Sequence, residues 1–123
     1  MTNSILDSTK KNLGIAADYT AFDQDILMHI NSAFSTLNQL GIGPVDGFMI
    51  EDETAVWDDF LLSDLRLNSV KTYVYLSVRL LFDPPATSFT LSALTEQKKE
   101  LEWRLNTYRE EEGWTPPLEE ENP

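Results

Sequence analysis

The chain of 123 residues contains no cysteine and only one histidine. The absence of cysteine excludes disulfides, thiolate zinc sites and a cysteine nucleophile, and it is typical of proteins in a reducing compartment. No apolar run approaches the roughly 18 residues that a membrane-spanning helix needs. Residues 1–4 lack the basic and apolar regions of a signal peptide. We therefore expect a protein that is made in the cytoplasm and binds no membrane.

Basic residues are scarce, because 9 lysines and arginines stand against 21 acidic residues, a formal net charge of −12. A surface that grips nucleic acid or an anionic membrane needs a basic footprint, so both kinds of binding surface are disfavoured. Six glutamates and no basic residue lie in 110–123, which therefore carries half of the net charge. The length predicts one domain. We assign 1–109 to a helical domain and 110–123 to an acidic, proline-containing C-terminal arm.

Capping signals and apolar spacing predict an all-α fold, a small bundle of about four to five helices. The first helix is capped by Ser4 or Asn3 and ends at Gly14. A long second helix begins at a capping box formed by Thr20 and Asp23, carries Phe22 in its apolar stripe and ends at Gly41. Residues 48–50 form a short extended piece.

The remaining pattern predicts three more helices. A short helix starts at Asp52 or Thr54 and carries Trp57, Phe60 and Leu61, with the two aromatic residues in the core. The helix over 67–82 is apolar nearly all round, which is typical of a buried central helix. A long last helix is capped by Ser88 and ends near 112–113.

Several sequence segments in this order and spacing are similar to a known pattern. They are FDQDI (22–26), HINS (29–32), QLGIGP (39–44), WDDF (57–60), KTYVYL (71–76), RLLFDPP (79–85) and ELEWRLN (100–106). Over about residues 4–109 the chain resembles the small head–tail connector, or adaptor, proteins of tailed bacteriophages and prophages. The arm lies outside the pattern.

The resemblance implies a virion structural protein and not an enzyme. It implies a homo-oligomeric ring, typically a dodecamer, beneath the portal protein, which completes the head after DNA packaging. The ring would offer a docking surface to the next head-completion (stopper) or tail-side protein, and genomic DNA would pass through its lumen without specific binding. The expected location is the neck of the virion, after synthesis in the host bacterial cytoplasm, and no cofactor or metal is expected.

Two groups of residues are candidates for contacts with other subunits or the portal. Trp103 is out of phase with the stripe of Leu94, Leu101 and Leu105, which is typical of an interface residue, and Arg104 lies beside it. The arm contains an uncharged core in which prolines reduce the cost of ordering. Its candidate residues are Trp114, Pro116, Pro117 and Leu118.

An acidic cluster is the candidate for a ring lumen. It comprises Glu51, Asp52, Glu53, Asp58 and Asp59, with Asp64 nearby. Its spacing matches no calcium loop, so a solvated surface is favoured over a metal site. Facing a lumen, these carboxylates would repel passing DNA. His29 has no nucleophile motif around it, so a structural or surface role is favoured over catalysis.

The alternative is a soluble acidic protein that mimics DNA and inhibits a nucleic-acid enzyme. The DNA-mimic hypothesis explains the net charge of −12. It does not explain the apolar fourth helix or the off-stripe Trp103. A metal-dependent hydrolase that uses the acidic cluster is disfavoured, because the chain lacks histidine ligands and a defined ligand spacing.

Overall fold

The structure is a computed structural model that describes residues 4–44, 46–60 and 67–111, with side chains as far as residue 107. Within these ranges the chain forms five helices and no strand, which confirms the all-α prediction. The helices are α1 (Ile5–Leu13), α2 (Asp23–Gln39), α3 (Trp57–Phe60), α4 (Leu67–Phe82) and α5 (Ser88–Glu111). The α5 helix is the longest, at about 36 Å.

The predicted ends of α1 and α2 are confirmed where local chemistry fixes them. The Ser4 hydroxyl accepts a hydrogen bond from the backbone N–H of Asp7 at 3.1 Å, which caps α1. Gly14 and Gly41 follow α1 and α2 with φ of 83° in each case. Residues with a side chain rarely adopt this left-handed backbone conformation, so glycine allows the chain to turn away after each helix.

The capping box predicted at Thr20 and Asp23 is wrong. Phe22 is the N-cap residue of α2, and no side chain caps the helix. The carboxylate of Asp23 instead pairs with Lys10. Phe22 is also not part of the buried stripe, since it is exposed and contacts the rings of Tyr19 and Phe82.

Two other helix starts differ from the prediction. Thr87 rather than Ser88 precedes α5 as its cap, because the Thr87 hydroxyl accepts from the backbone N–H of Thr90. The α3 helix begins at Trp57 rather than at Asp52 or Thr54. The Asp52 carboxylate accepts hydrogen bonds from the backbone N–H and the hydroxyl of Thr54, which closes a tight turn. This turn ends before the helix begins.

The bundle is organised around α4, as predicted for an apolar central helix. The start of α2 meets the end of α4, where Phe22 and Phe82 lie 5.3 Å apart, so the two helices are antiparallel. A short turn at 83–87 reverses the chain into α5, and α1 packs against both α2 and α4. The fully buried residues of α4 are Val70, Tyr73, Val74 and Val78.

An aromatic cluster holds residues 46–60, which include α3, against α2. Phe34 of α2 contacts the rings of Phe48, Trp57 and Phe60 at centroid distances of 4.9, 6.3 and 4.7 Å. Trp57 and Phe60 are buried, which confirms their predicted place in the core. The Phe60 ring lies where a Cβ on residue 43 would stand, so Gly43 is needed for this close approach. Leu61 lies outside the described residues.

Candidate assembly surfaces

Trp103 lies on the outer face of α5. Its side chain is 68% exposed, whereas Leu101 and Leu105 on the inner face are buried. The phase argument from the sequence is therefore confirmed for this part of α5. Arg104 lies beside Trp103 and pairs with Glu100 at 2.8 Å, but both members are exposed, so this pair contributes little to stability. A large exposed aromatic residue next to a guanidinium group is a combination enriched in protein interfaces.

The five acidic residues of the predicted cluster are all exposed. Two of them have local structural roles. Asp52 accepts from the backbone and hydroxyl of Thr54, which lowers the pKa of its carboxyl group, and Asp59 accepts from the backbone N–H of Val56 at 3.0 Å. The other three are Glu51, Glu53 and Asp58. The cluster thus presents an acidic surface that its own turns help to fix.

In the described part of the chain, no group of three or more histidine, cysteine or acidic side chains has an arrangement that would hold a metal ion. His29 is half-buried on α2. Among the described residues, no helix combines the length and hydrophobicity that crossing a membrane requires. Asp64 lies outside these residues, as do Trp114, Pro116, Pro117 and Leu118.

A buried ion pair joins the end of α1 to the start of α2. The Lys10 ammonium lies 2.7 Å from an Asp23 carboxylate oxygen and donates to the carbonyl of Ala17 at 3.0 Å. Lys10 is 1% exposed. The sequence pattern did not predict this pair. The only available signal was a lysine with aliphatic neighbours in α1, which is also typical of an exposed lysine.

A second unpredicted feature is an apolar surface at the end of the bundle where α4 turns into α5. The aromatic pair of Phe22 and Phe82 lies at this end, beside Tyr19. Leu81 and Phe89 flank the turn, and Phe89 is 84% exposed. Adjacent exposed apolar side chains of this kind are typical of a surface that another protein covers. They were not predicted because they come from three separate parts of the chain, namely the segment before α2, the end of α4 and the start of α5.

Tyr73 connects the central helix to α5. It is buried, and its hydroxyl donates to the Glu102 carboxylate at 2.8 Å, while Lys98 lies 5.6 Å from the centre of its ring. Burial raises the pKa of Tyr73, and the hydrogen bond to Glu102 raises it further. The protonated phenol is therefore the form that the fold stabilises. This contact fixes the register of the helix that carries Trp103.

We expect the protein to lose stability as the pH rises above about 10, in part because of Tyr73. A tyrosine whose folded-state pKa is raised binds its proton more tightly in the folded state, so its contribution is present below pH 10 and is lost above it. Urea unfolding at several alkaline pH values should show a steeper loss for the wild type than for Tyr73→Phe. Parallel curves for the two proteins would contradict this assignment.

The fold and its surfaces define a small helical protein whose distinctive surface features suit association with other proteins. A family model described as "Phage connector protein" matches residues 5–112. The chain belongs to this family of phage connector proteins, which confirms the family resemblance found in the sequence. Comparisons with curated proteins and with solved structures gave no match. The family gives the chain a structural connector role at the neck of the virion.

Proposed function

We propose that this connector protein forms a ring, typically of twelve copies, on the tail side of the portal protein. The ring completes the head after DNA packaging and offers a docking surface to the next stopper or tail-side protein. Genomic DNA passes through its lumen without specific binding. The protein is made in the host bacterial cytoplasm. The family match over nearly the whole helical domain carries this proposal.

The exposed face of α5 is the proposed ring contact. Trp103 and Arg104 would meet a different surface of the neighbouring copy, because a closed ring is built from head-to-tail interfaces. The support is that Trp103 is largely exposed although it is a large aromatic residue. Among the side chains that the structure describes, Arg104 has one partner, the exposed Glu100, and its other donors are offered there as the contact to a neighbour.

The acidic surface of 51–59 is the proposed lumen wall. Two like charges about 4 Å apart in water repel by only about 1 kcal/mol. A ring, however, repeats each carboxylate once per copy, and the sum prevents DNA from adhering as it passes. The exposure of all five carboxylates supports this assignment. A lumen lined by basic residues in the assembled ring would contradict it.

Electron microscopy of the full chain mixed with its portal tests the proposal. We expect a ring at the tail-side end of the portal, whereas the free chain alone need not form one. No added density on the portal would contradict the proposal. Salt-dependent binding to a basic nucleic-acid enzyme, together with an unoccupied portal, would instead favour the DNA-mimic alternative.

A further inference from the structure

An open groove runs along the solvent-facing side of α2, between this helix and the segment 46–49. Its volume is about 670 Å³. Met28 and Met49 contribute to its lining and are 60% and 69% exposed. Methionine is flexible and polarizable, and it is common on surfaces that bind apolar or aromatic side chains. The groove therefore has the apolar contacts of a peptide-binding site.

The groove also contains hydrogen-bonding groups that have no partner among the described residues. Asn31 holds Ile50 through two bonds, accepting from its N–H at 2.8 Å and donating to its carbonyl at 3.0 Å. Within the described part of the chain, the backbone groups of Phe48 and Met49 have no hydrogen-bond partner. Three other polar side chains of α2 that line the groove also lack a partner among these residues. They are Ser32, Ser35 and Asn38. An extended peptide would satisfy such a set.

We propose that this groove binds residues 114–118 of a neighbouring copy. The inference rests on the proposed ring, which supplies that neighbour. The segment reads Trp-Thr-Pro-Pro-Leu, so it has an aromatic end, an aliphatic end and a proline centre. Prolines favour the extended polyproline conformation, which leaves the backbone carbonyls free to accept hydrogen bonds from the groove.

The position of the arm's attachment point supports this occupant. Because α4 is antiparallel to both α2 and α5, the C-terminal ends of α2 and α5 lie at the same end of the bundle. Ser35 and Asn38 lie in the last turns of α2, and α5 ends at Glu111. Residues 112–118 span at most about 25 Å when extended. The arm is therefore attached near the groove end of each copy, and its segment 114–118 reaches the groove of an adjacent copy that packs against this end of the bundle.

The lengths of groove and segment agree. From Met28 to Asn38 the helix rises about 15 Å. Five residues in the polyproline conformation span about 15 Å as well. One apolar end of the segment would then contact Met28 and Met49 while the prolines cross the serines.

Charge distinguishes this docking from an ion-pair attachment of the acidic arm. Asp46 is the only charged side chain of the described residues that lines the groove, and it has the same sign as the glutamates flanking 114–118. Salt screens this repulsion. Added salt and the variant Asp46→Asn are therefore both expected to strengthen binding. An arm held by basic residues would show the opposite salt dependence.

Disulfide cross-linking tests the inference directly, because the wild-type chain has no cysteine. Full-length Ser35→Cys and Leu118→Cys proteins are mixed under mild oxidation, both free at high concentration and on the portal. We expect the mixed disulfide dimer to form at least about tenfold faster than with a control pair, because binding raises the effective concentration of the two thiols. The control pairs Gln97→Cys, on the exposed face of α5, with Leu118→Cys.

Cross-linking no faster than the control under both conditions would overturn the inference. So would a link that forms only within one chain of the Ser35→Cys/Leu118→Cys double variant. Failure of this inference is separable from failure of the proposed function. A portal-bound ring without the cross-link would contradict only the groove assignment, and a cross-link without a ring would contradict only the connector assembly.

Discussion

Replacing Asp23 with asparagine is expected to lower the free energy of unfolding by about 3 kcal/mol, the lower end of the range for breaking a buried ion pair. The substitution keeps the shape of the side chain but removes the charge opposite Lys10, whose ammonium is 2.7 Å away and 1% exposed. Within the described ranges, Lys10 would then keep the carbonyl of Ala17 as its one hydrogen-bond partner. The lower end applies because the Asp23 side chain is 24% exposed, so water replaces part of the lost interaction.

Urea unfolding measures this effect as a lower midpoint at unchanged slope. Asp25→Asn is the matched control, because Asp25 lies in the same helical turn but is exposed, and its change should stay within about 0.5 kcal/mol. Adding Lys10→Met to Asp23→Asn should recover most of the loss, because it removes the unpaired charge. Equal midpoints for Asp23→Asn and Asp25→Asn would show that the pair contributes nothing to stability.

The sequence predicted the features of the fold that local chemistry determines. Ser4 and the glycines at 14 and 41 act through hydrogen bonds and backbone angles within a few residues of each helix end, so these ends were predicted correctly. The apolar content of α4 likewise predicted its central place. The predicted capping of α2 was wrong because the Asp23 carboxylate could either cap this helix or pair with a charged side chain. As a cap it would satisfy one N–H group, whereas in the folded chain it neutralises a buried lysine from another helix.

The candidate surfaces also differ in whether the sequence could predict them, according to whether they depend on one helix or on distant residues. The exposure of Trp103 followed from its phase within a single helix, since a residue out of step with a buried stripe must point outward. The groove beside α2 did not follow from the sequence. It depends on the distant pairing of Asn31 with Ile50, which lays an irregular loop along the helix. The apolar end of the bundle depends in the same way on the meeting of three elements.

Trp103→Ala is expected to abolish ring formation on the portal while leaving the folded subunit intact. Removing a central interface tryptophan typically costs 2 kcal/mol or more, which weakens each contact by about 30-fold or more. A ring repeats the same contact between every adjacent pair, so the losses accumulate around the ring. The subunit itself loses little, because the Trp103 side chain is 68% exposed and lies outside the core.

Two measurements on the same protein separate assembly from folding. Electron microscopy with the portal should show rings for the wild type and none for Trp103→Ala, while circular dichroism and the melting temperature stay close to wild type. Lys99→Ala is the matched control, because Lys99 is another exposed residue of α5 and should leave rings unchanged. Trp103→Phe keeps an aromatic ring and should restore part of the assembly. Intact rings with Trp103→Ala would show that the contact between subunits does not lie on this face of α5. A matching loss of melting temperature would instead identify Trp103 as a residue that stabilises the fold.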